Sequence, residues 1–201
     1  MSKFIIEGAK PLNGEINISG NKNAALPIIC ATLLSEEKIT LKNVPKISDI
    51  TVLLRIMKSL GSKVRYEDKG STLTIDNSAL SYKTLDKDLV GKFRGSILLM
   101  GPLLAKFGKI QTWMPGGCKL GQRPIDTHLL NFQKLGAVIE MDEWIEIDGA
   151  NLKGSFIWQD EASVTGTENI IMASVFAKGT TTIYNSASEP HVQDLCNFLN
   201  S

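Results

Sequence analysis

The sequence has few of the features that mark secreted, membrane-bound or nucleic-acid-binding proteins. Its three cysteines are widely spaced and form no C-x-x-C pair, which favours reduced thiols in a cytosol over a disulfide framework. No apolar run approaches the roughly 18 to 20 residues that a membrane span requires. Lys and Arg number 22 against 21 Asp and Glu, whereas binding to nucleic acid phosphates needs a basic excess. We therefore expect a cytoplasmic protein that binds neither membranes nor nucleic acid.

What the sequence does contain is the composition of a globular α/β protein. Hydrophobic residues make up 43% and charged residues 21% of the 201 positions, which is ordinary for a folded domain with a proper core. Short strand-like runs alternate with amphipathic helical stretches. The first predicted strands are Lys3–Glu7 and Glu15–Ile18, and helices are predicted from Asn23, Ile50, Lys92, Ile125, Glu168 and Pro190.

The alternation recurs as an internal repeat. Leu34, Leu104 and Phe176 stand at the second position of three similar segments and lie 70 and 72 residues apart. This period is too long for a solenoid and indicates a small β/α unit that is used several times. In the first two units, the second helix ends at a Leu-Gly pair that precedes the closing strands, whereas the third unit stops at Ser201. We therefore expect the chain to be a piece of a longer protein.

Two segments have the composition of anion-binding sites. The turn Ile18–Asn23 runs from a predicted strand into a helix and carries Lys22, and such a turn directs backbone N–H groups at an anion. An ordinary helix cap with a solvated lysine is the alternative. Arg123 precedes a helix that Pro124 and Asp126 would initiate, and its guanidinium could hold a phosphate through two hydrogen bonds.

The loop that contains Arg123 also carries a cysteine. Met114–Pro124 is rich in glycine, and loops of this kind often close over ligands. Cys118 lies beside Lys119 and near Arg123, a positive setting that makes a thiol reactive. The alternative is an exposed loop with an incidental cysteine, and Cys30 and Cys196 are predicted to lie in the core.

Other polar residues allow two interpretations, and known motifs are few. His128 is either a ligand contact or buried polar packing, and Arg94 is either a binding residue or a surface cation. The histidines and cysteines show no metal-ligand spacing, and neither a P-loop nor a dinucleotide fingerprint occurs. No metal or cofactor is therefore expected. From the residues alone, the sequence predicts an anion-binding part of an α/β enzyme with a thiol on a loop.

Over its whole length the sequence resembles the N-terminal half of the UDP-N-acetylglucosamine enolpyruvyl transferases. The matching strings are ISGNKNAALPI at Ile18–Ile28, PGGCKLGQRPIDTH at Pro115–His128 and SVTGTENIIMA at Ser163–Ala173. The resemblance implies an inside-out α/β barrel lobe built from repeated βαβαββ units. Residues 1–21 would be strands of a second lobe, and residues 22–201 would form the first lobe, with units at about 22–90, 91–155 and 156–201, the third truncated.

The resemblance also implies a reaction and the residues that perform it. The enolpyruvyl group of phosphoenolpyruvate would pass to the 3′-hydroxyl of UDP-N-acetylglucosamine with release of phosphate, the first committed step of bacterial peptidoglycan synthesis. Cys118 would protonate the methylene carbon and be the thiol that fosfomycin alkylates. Phosphoenolpyruvate would contact Lys22, Asn23 and Arg123. The nucleotide sugar would contact Arg94, Arg123, Pro124, Ile125, Asp126, Thr127, Glu161, Ala162, Ser163 and Val164.

The sequence departs from the family at two positions and lacks part of its site. Glu161 stands where many members have lysine, which puts its contact with the uridine phosphates in doubt, and Leu98 replaces an aromatic residue. The family's general base, an aspartate, and further phosphate-binding arginines belong to the second half. We therefore expect the chain by itself to be catalytically inactive and to need its C-terminal half as partner. The alternative is a non-catalytic lobe that binds a UDP-sugar.

Overall fold

The computed structural model describes residues 3–67, 71–116 and 124–201. The helices are α1 (Lys22–Ala31), α2 (Ser48–Ser59), α3 (Lys87–Val90), α4 (Met100–Phe107), α5 (Asp126–Lys134), α6 (Val164–Ser174) and α7 (Pro190–Leu199), and 3-10 helices follow α1 (Thr32–Leu34) and precede α4 (Arg94–Leu99). The strands are β1 (Lys38–Leu41), β2 (Lys63–Tyr66), β3 (Leu73–Asp76), β4 (Lys109–Thr112), β5 (Val138–Met141), β6 (Ile145–Asp148), β7 (Phe156–Trp158) and β8 (Thr182–Tyr184). Within the described ranges, no helix has the length and apolar character needed to cross a bilayer.

The sheets confirm the internal repeat. The first two units have the same antiparallel strand order, β1-β3-β2 and β4-β6-β5, and in each unit a helix connects the first two strands. In the third unit β7 pairs with β8 in parallel, with α6 between them in the chain. Gly61 follows α2 and Gly136 follows α5, with φ of +110° and +97°. Because this left-handed backbone suits glycine, both helices end at the predicted Leu-Gly pair.

The helices form the interior of the molecule and the sheets flank them. α6 is buried over most of its circumference: Ile170, Met172 and Ala173 have no exposed surface, as expected of a central helix. It packs against α4 at Gly101, where an added Cβ would meet the backbone oxygen of Asn169 at 2.5 Å. The closest approach of α4 and α6 therefore requires glycine. The enclosed packing of these helices positions the polar residues of α6 that are described below.

The N-terminal segment differs from the sequence prediction. Residues 3–20 form neither helix nor strand, so the strands predicted at Lys3–Glu7 and Glu15–Ile18 are wrong for this chain. Phe4, Ile6 and Leu12 are almost fully exposed. A strand satisfies its backbone groups only beside another strand, and none of the described strands lies beside this segment. The assignment of residues 1–21 to a second lobe stays a prediction.

Candidate functional site

A cleft of about 440 Å³ lies where the first turns of several helices meet. We call it the polar cleft, and its polar lining consists of Lys22, Asn23, Asp49, Arg94, Thr165, Glu168, Glu189 and His191. α1, α2, α6 and α7 all begin at this cleft or within two residues of it. Since the N-terminus of a helix carries unsatisfied N–H groups and a partial positive charge, the fold directs several such termini at one volume. The polar cleft is therefore suited to anions.

The repeat explains why these termini converge. Lys22, Arg94 and Val164 begin the first helix of the first, second and third unit, and all three line the polar cleft. Side chains cap two of these starts. The Asn21 side chain accepts hydrogen bonds from the backbone of Asn23 and Ala24 at 2.7 and 3.1 Å, and Ser163 caps α6. The first helical residues of successive units thus contribute to a single site.

Lys22 stands at the rim of the cleft. Its Nζ lies 2.6 Å from Oδ2 of Asp49, and half of the lysine side chain is exposed. An exposed ion pair of this kind contributes little to stability, so an anionic ligand can take the place of the aspartate at small cost. The approach to α1 depends on Gly20, where an added Cβ would lie 1.7 Å from the carbonyl oxygen of Asn43. The Ser-Gly-Asn turn predicted from the sequence therefore needs its glycine to present Lys22.

Arg94 connects the polar cleft with the start of α5. Its Nη2 donates a hydrogen bond to the carbonyl oxygen of Pro124 at 2.7 Å, and the residue is half-buried. Arg94 is therefore more than a surface cation. The structure brings it together with the stretch 124–127 that was predicted to bind the same ligand.

The predicted segments 124–127 and 161–164 meet beside the cleft. Thr127 Oγ1 donates to Oδ1 of Asp160 at 2.9 Å and lies 3.5 Å from Oε1 of Glu161. Asp126 and Ala162 are exposed, whereas the side chain of Ile125 is 3% exposed and belongs to the core. Any ligand contact by Ile125 would therefore use its backbone.

A fully hydrogen-bonded network lies beneath the cleft around His128. The side-chain nitrogen of Asn169 donates to Nδ1 of His128 at 2.9 Å and to the carbonyl oxygen of Ile97 at 3.0 Å. The Asn169 oxygen accepts from the backbone N–H of Gly101 at 2.8 Å. Because Nδ1 of His128 accepts, its Nε2 carries the proton and donates to Thr165 Oγ1 at 3.2 Å. The hydroxyl hydrogen of Thr165 is then directed away from the histidine.

His128 is neutral in this network. Burial lowers the pKa of its imidazole to about 4, and the charge of Arg94 contributes in the same direction. The imidazole is 4% exposed. Of the two interpretations of the sequence, buried polar packing is the one that the structure supports.

Glu168 lines the polar cleft, although no motif in the sequence marks it as a binding residue. Glu168 as a residue is 1% exposed, and its Oε1 has no hydrogen-bond partner among the described residues. Burial, together with the smaller effect of the neighbouring charge of Glu189, raises the pKa of this carboxyl to about 8. Nε2 of His191, on the same cleft, is also buried and has no partner in the part of the chain that the structure describes. The only sequence signal was a charged residue at a core-facing position of the helix.

The cysteines and the glycine-rich loop can be placed in part. Cys118, Lys119 and Arg123 lie outside the described residues. Cys30 is buried, as predicted, and burial raises the pKa of its thiol far above its usual range, so it is unreactive. Cys196, predicted to be a core residue, is only half-buried.

Comparison with known proteins assigns the chain to a family. The EPSP synthase family, described as 3-phosphoshikimate 1-carboxyvinyltransferase, matches residues 6–201. The chain belongs to this family. It is 47% identical over 201 residues to UDP-N-acetylglucosamine 1-carboxyvinyltransferase 1 of Clostridium acetobutylicum, covering 100% of this chain and 48% of the relative. The enzyme of that name from Bacteroides thetaiotaomicron is also 47% identical, with the same coverage.

Solved structures agree on the fold. The enolpyruvyl transferase NikO from Streptomyces tendae superposes with a TM-score of 0.79 at 23% identity, over 96% of this chain and 45% of that one. EPSP synthase from Acinetobacter baumannii gives 0.72 at 20% identity, over 90% and 42%. The fold is therefore that of an enolpyruvyl transferase lobe, as the sequence predicted. The chain spans about half the length of the curated relatives that it matches.

Proposed function

We propose that the protein to which this chain belongs transfers the enolpyruvyl group of phosphoenolpyruvate to the 3′-hydroxyl of UDP-N-acetylglucosamine and releases phosphate. The observation that carries the proposal is the 47% identity, over all 201 residues, to a relative that bears the name of this activity. The polar cleft supports it, because both substrates are anions and helix N-termini favour anions. The reaction would be the first committed step of peptidoglycan synthesis, in the bacterial cytoplasm.

Phosphoenolpyruvate is proposed to bind at the start of α1. Lys22 and Arg123 would hold its phosphate, and Asn23 would contact both substrates near the new bond. The position of Lys22 and Asn23 on the polar cleft supports this assignment. Lys22 would exchange its partner Asp49 for the phosphate on binding.

UDP-N-acetylglucosamine is proposed to bind across the starts of α5 and α6. Arg94, residues 123–127 and residues 161–164 would contact it. The hydrogen bonds from Arg94 to Pro124 and from Thr127 to Asp160 support one continuous surface for these segments. The carboxylate of Glu161 would repel the diphosphate. It would instead accept hydrogen bonds from O–H groups of the sugar or N–H groups of the uracil base.

The proposed chemistry is an addition followed by an elimination. The Cys118 thiol gives a proton to the methylene carbon of phosphoenolpyruvate while the sugar hydroxyl oxygen bonds to the adjacent carbon and loses its own proton to a base. The tetrahedral ketal then breaks its bond to the phosphate oxygen, and a proton leaves the methyl group to restore the double bond. Lys22 and Arg123 stabilise the departing phosphate as fixed positive charges.

The chain alone is proposed to be inactive. It covers 48% of the Clostridium acetobutylicum relative, and the family resemblance assigns the base for the sugar hydroxyl to the other half. The alternative is a non-catalytic lobe that binds UDP-N-acetylglucosamine. Both interpretations use the same surface, and turnover separates them.

The test is phosphate release from phosphoenolpyruvate by the full product of the reading frame and, separately, by the 201-residue chain. UDP-N-acetylglucosamine, shikimate 3-phosphate or no acceptor would be added. We expect release by the full product only with the nucleotide sugar, no release by the chain, and a loss of at least about 100-fold in a Cys118→Ser variant, since general acid catalysis contributes this much. Cys196→Ser is the matched control.

Each other outcome contradicts a part of the proposal. Phosphate release that depends on shikimate 3-phosphate would show that this compound, and not UDP-N-acetylglucosamine, is the acceptor. Nucleotide-sugar binding by the full product without turnover would favour the non-catalytic lobe. Turnover by the 201-residue chain would refute its inactivity.

A further inference from the structure

Among the described residues, two buried polar atoms on the polar cleft have no hydrogen-bond partner. They are Oε1 of Glu168 on α6 and Nε2 of His191 on α7. Buried polar atoms are nearly always hydrogen-bonded, so each exception needs an explanation. Two exceptions on the wall of one cleft point to a polar ligand that satisfies them when it binds.

Glu168 is held in place by its helix. It lies in the second turn of α6, 1% exposed, and α6 packs against α4, α5 and α7. Its neighbours Thr167 and Asn169 have their own hydrogen bonds to Gln159 and His128. The Glu168 carboxyl group therefore faces the cleft from a rigid element, which is what a ligand contact requires.

The titratable and charged groups around Glu168 come from every element at the cleft. They are Lys22 and Cys30 of α1, Asp49 of α2, Arg94 of the 3-10 helix, His128 of α5, and Glu189 and His191 at the start of α7. The one charged residue of α4, Lys106, is paired with Glu36 at 2.9 Å. The cations Lys22 and Arg94 draw an anion into the cleft, where the Glu168 carboxyl group awaits a partner.

We propose that Glu168 is a ligand-binding residue whose neutral carboxyl group donates a hydrogen bond to an anionic oxygen of phosphoenolpyruvate in the polar cleft. This inference rests on the proposed function for the identity of the ligand. Both the phosphate and the carboxylate of phosphoenolpyruvate offer such an oxygen. Inorganic phosphate and pyruvate, used as separate probes, distinguish the two groups.

The protonation state of Glu168 decides whether it attracts or repels the ligand. With a pKa raised to about 8 by burial and by Glu189, the carboxyl group is neutral at pH 7 and can donate its proton in a hydrogen bond. Above pH 8 it becomes a carboxylate, which has no donor and repels an anion. Anion affinity should therefore be present below pH 8 and decline as the pH rises through 8.

The experiment measures the dissociation constants of phosphoenolpyruvate, inorganic phosphate and pyruvate by calorimetry from pH 6.5 to 9.5, on the full product of the reading frame. The variants are Glu168→Gln, which keeps a donor and cannot ionise, and Glu168→Leu, which has no polar group. Glu37→Gln is the matched control, because Glu37 is exposed and does not line the cleft. Turnover of the wild type is measured in parallel, with circular dichroism as a check of folding.

For the wild type we expect the dissociation constant of phosphoenolpyruvate to rise above pH 8 by about tenfold per pH unit relative to Glu168→Gln. The ligand and the other protein groups titrate in the same way in wild type and in Glu168→Gln. The difference between the two proteins therefore reports the ionisation of Glu168. At pH 7, Glu168→Gln should bind within about threefold of wild type and Glu168→Leu about tenfold more weakly, in line with the loss of a hydrogen bond to a charged group. Glu37→Gln should follow the wild type.

The outcomes separate this inference from the proposed function. Turnover by the wild type, with the same pH dependence of binding in wild type and Glu168→Gln, overturns the inference and leaves the proposed function standing. The expected binding pattern without turnover supports the inference and refutes the proposed activity. Absence of both turnover and anion binding refutes both. If Glu168→Leu does not fold, the comparison with Glu168→Gln decides.

Discussion

Two adjacent residues of α6, Glu168 and Asn169, are equally buried but differ in their partners. Asn169 uses both amide hydrogens and its oxygen in bonds of 2.8 to 3.0 Å to three other residues. Glu168, one position earlier, leaves a carboxyl oxygen without any partner in the described residues. The helix thus presents one face to a packed polar network and another to the cleft.

This difference distinguishes buried polar groups that stabilise the fold, such as Asn169, from buried polar groups that are available to bind a ligand, such as Glu168. A buried network is stabilising only when every member is satisfied, and the network around Asn169 meets this condition. A buried carboxyl group without a partner is costly, and a hydrophobic side chain would be the better choice for stability alone. We therefore expect substitutions at the two positions to have opposite effects on folding.

Replacing Asn169 by leucine should cause the largest loss of stability. The substitution leaves the Gly101 N–H, the Ile97 carbonyl and the His128 imidazole without their partner. At ~1–3 kcal/mol for each unsatisfied group, the free energy of unfolding should fall by about 4 kcal/mol. Urea unfolding followed by circular dichroism measures it.

The control for this prediction is Asn197→Leu, at an exposed position of α7. Surface changes of this kind usually stay within about 0.5 kcal/mol. If Asn169→Leu were no more destabilising than Asn197→Leu, the network would not be holding α4 and α6 together. The contrast with Glu168 would then lose its basis.

The sequence predicted those parts of the fold and site that depend on local chemistry. The ends of α2 and α5 at Gly61 and Gly136 follow from glycine's access to positive φ. Lys22 was singled out because a helix start beside a polar turn can be recognised from residue order alone, whereas the binding role of Arg94 follows only from the family resemblance. Such local features can be predicted without knowing which other parts of the chain pack against them.

Features that depend on distant partners were mispredicted or missed. The strand predicted at Lys3–Glu7 has the right alternation but no neighbouring strand among the described residues. The sequence pattern predicts a helix from Glu168, whereas α6 begins at Val164 behind the Ser163 cap. The burial of Glu168 arises from helices elsewhere in the chain that pack against α6, among them α4, α5 and α7, which the surrounding sequence does not reveal. Contacts between distant parts of the chain determine both whether Lys3–Glu7 forms a strand and whether Glu168 is buried.

The hydrogen-bonded network around Asn169 should contribute less to the free energy of unfolding in acid, because His128 becomes protonated. Its pKa in the fold is about 4, against an ordinary value of 6.5, so the unfolded state binds the proton more tightly. The stabilisation is therefore complete above pH 6.5 and is lost as the pH falls toward 4. Over that window His128 should account for about 3 kcal/mol of the decline in the free energy of unfolding.

The measurement follows the imidazole proton resonances during an NMR titration from pH 8 to 4, with urea unfolding at the same pH values. The chain has two histidines, so a His191→Gln variant assigns the resonances. In His128→Gln the acid-dependent loss attributed to the imidazole should be absent, whatever the variant's stability at pH 7. An imidazole of His128 that titrates near 6.5 would contradict the buried network.

Ionisation of Glu168 should lower the free energy of unfolding in alkali. This is the smallest of the predicted effects. The folded pKa of Glu168 lies above its ordinary value of 4.5, at about 8, so here the folded state binds the proton more tightly. Stability then declines as the pH rises from 4.5 to 8 and levels off above. Between pH 7 and 9 the wild type should lose about 1 kcal/mol that Glu168→Gln does not lose, as urea unfolding at the two pH values would measure. Equal losses in both proteins would mean that Glu168 is already ionised at pH 7, and that it is stabilised as a carboxylate in the unliganded cleft.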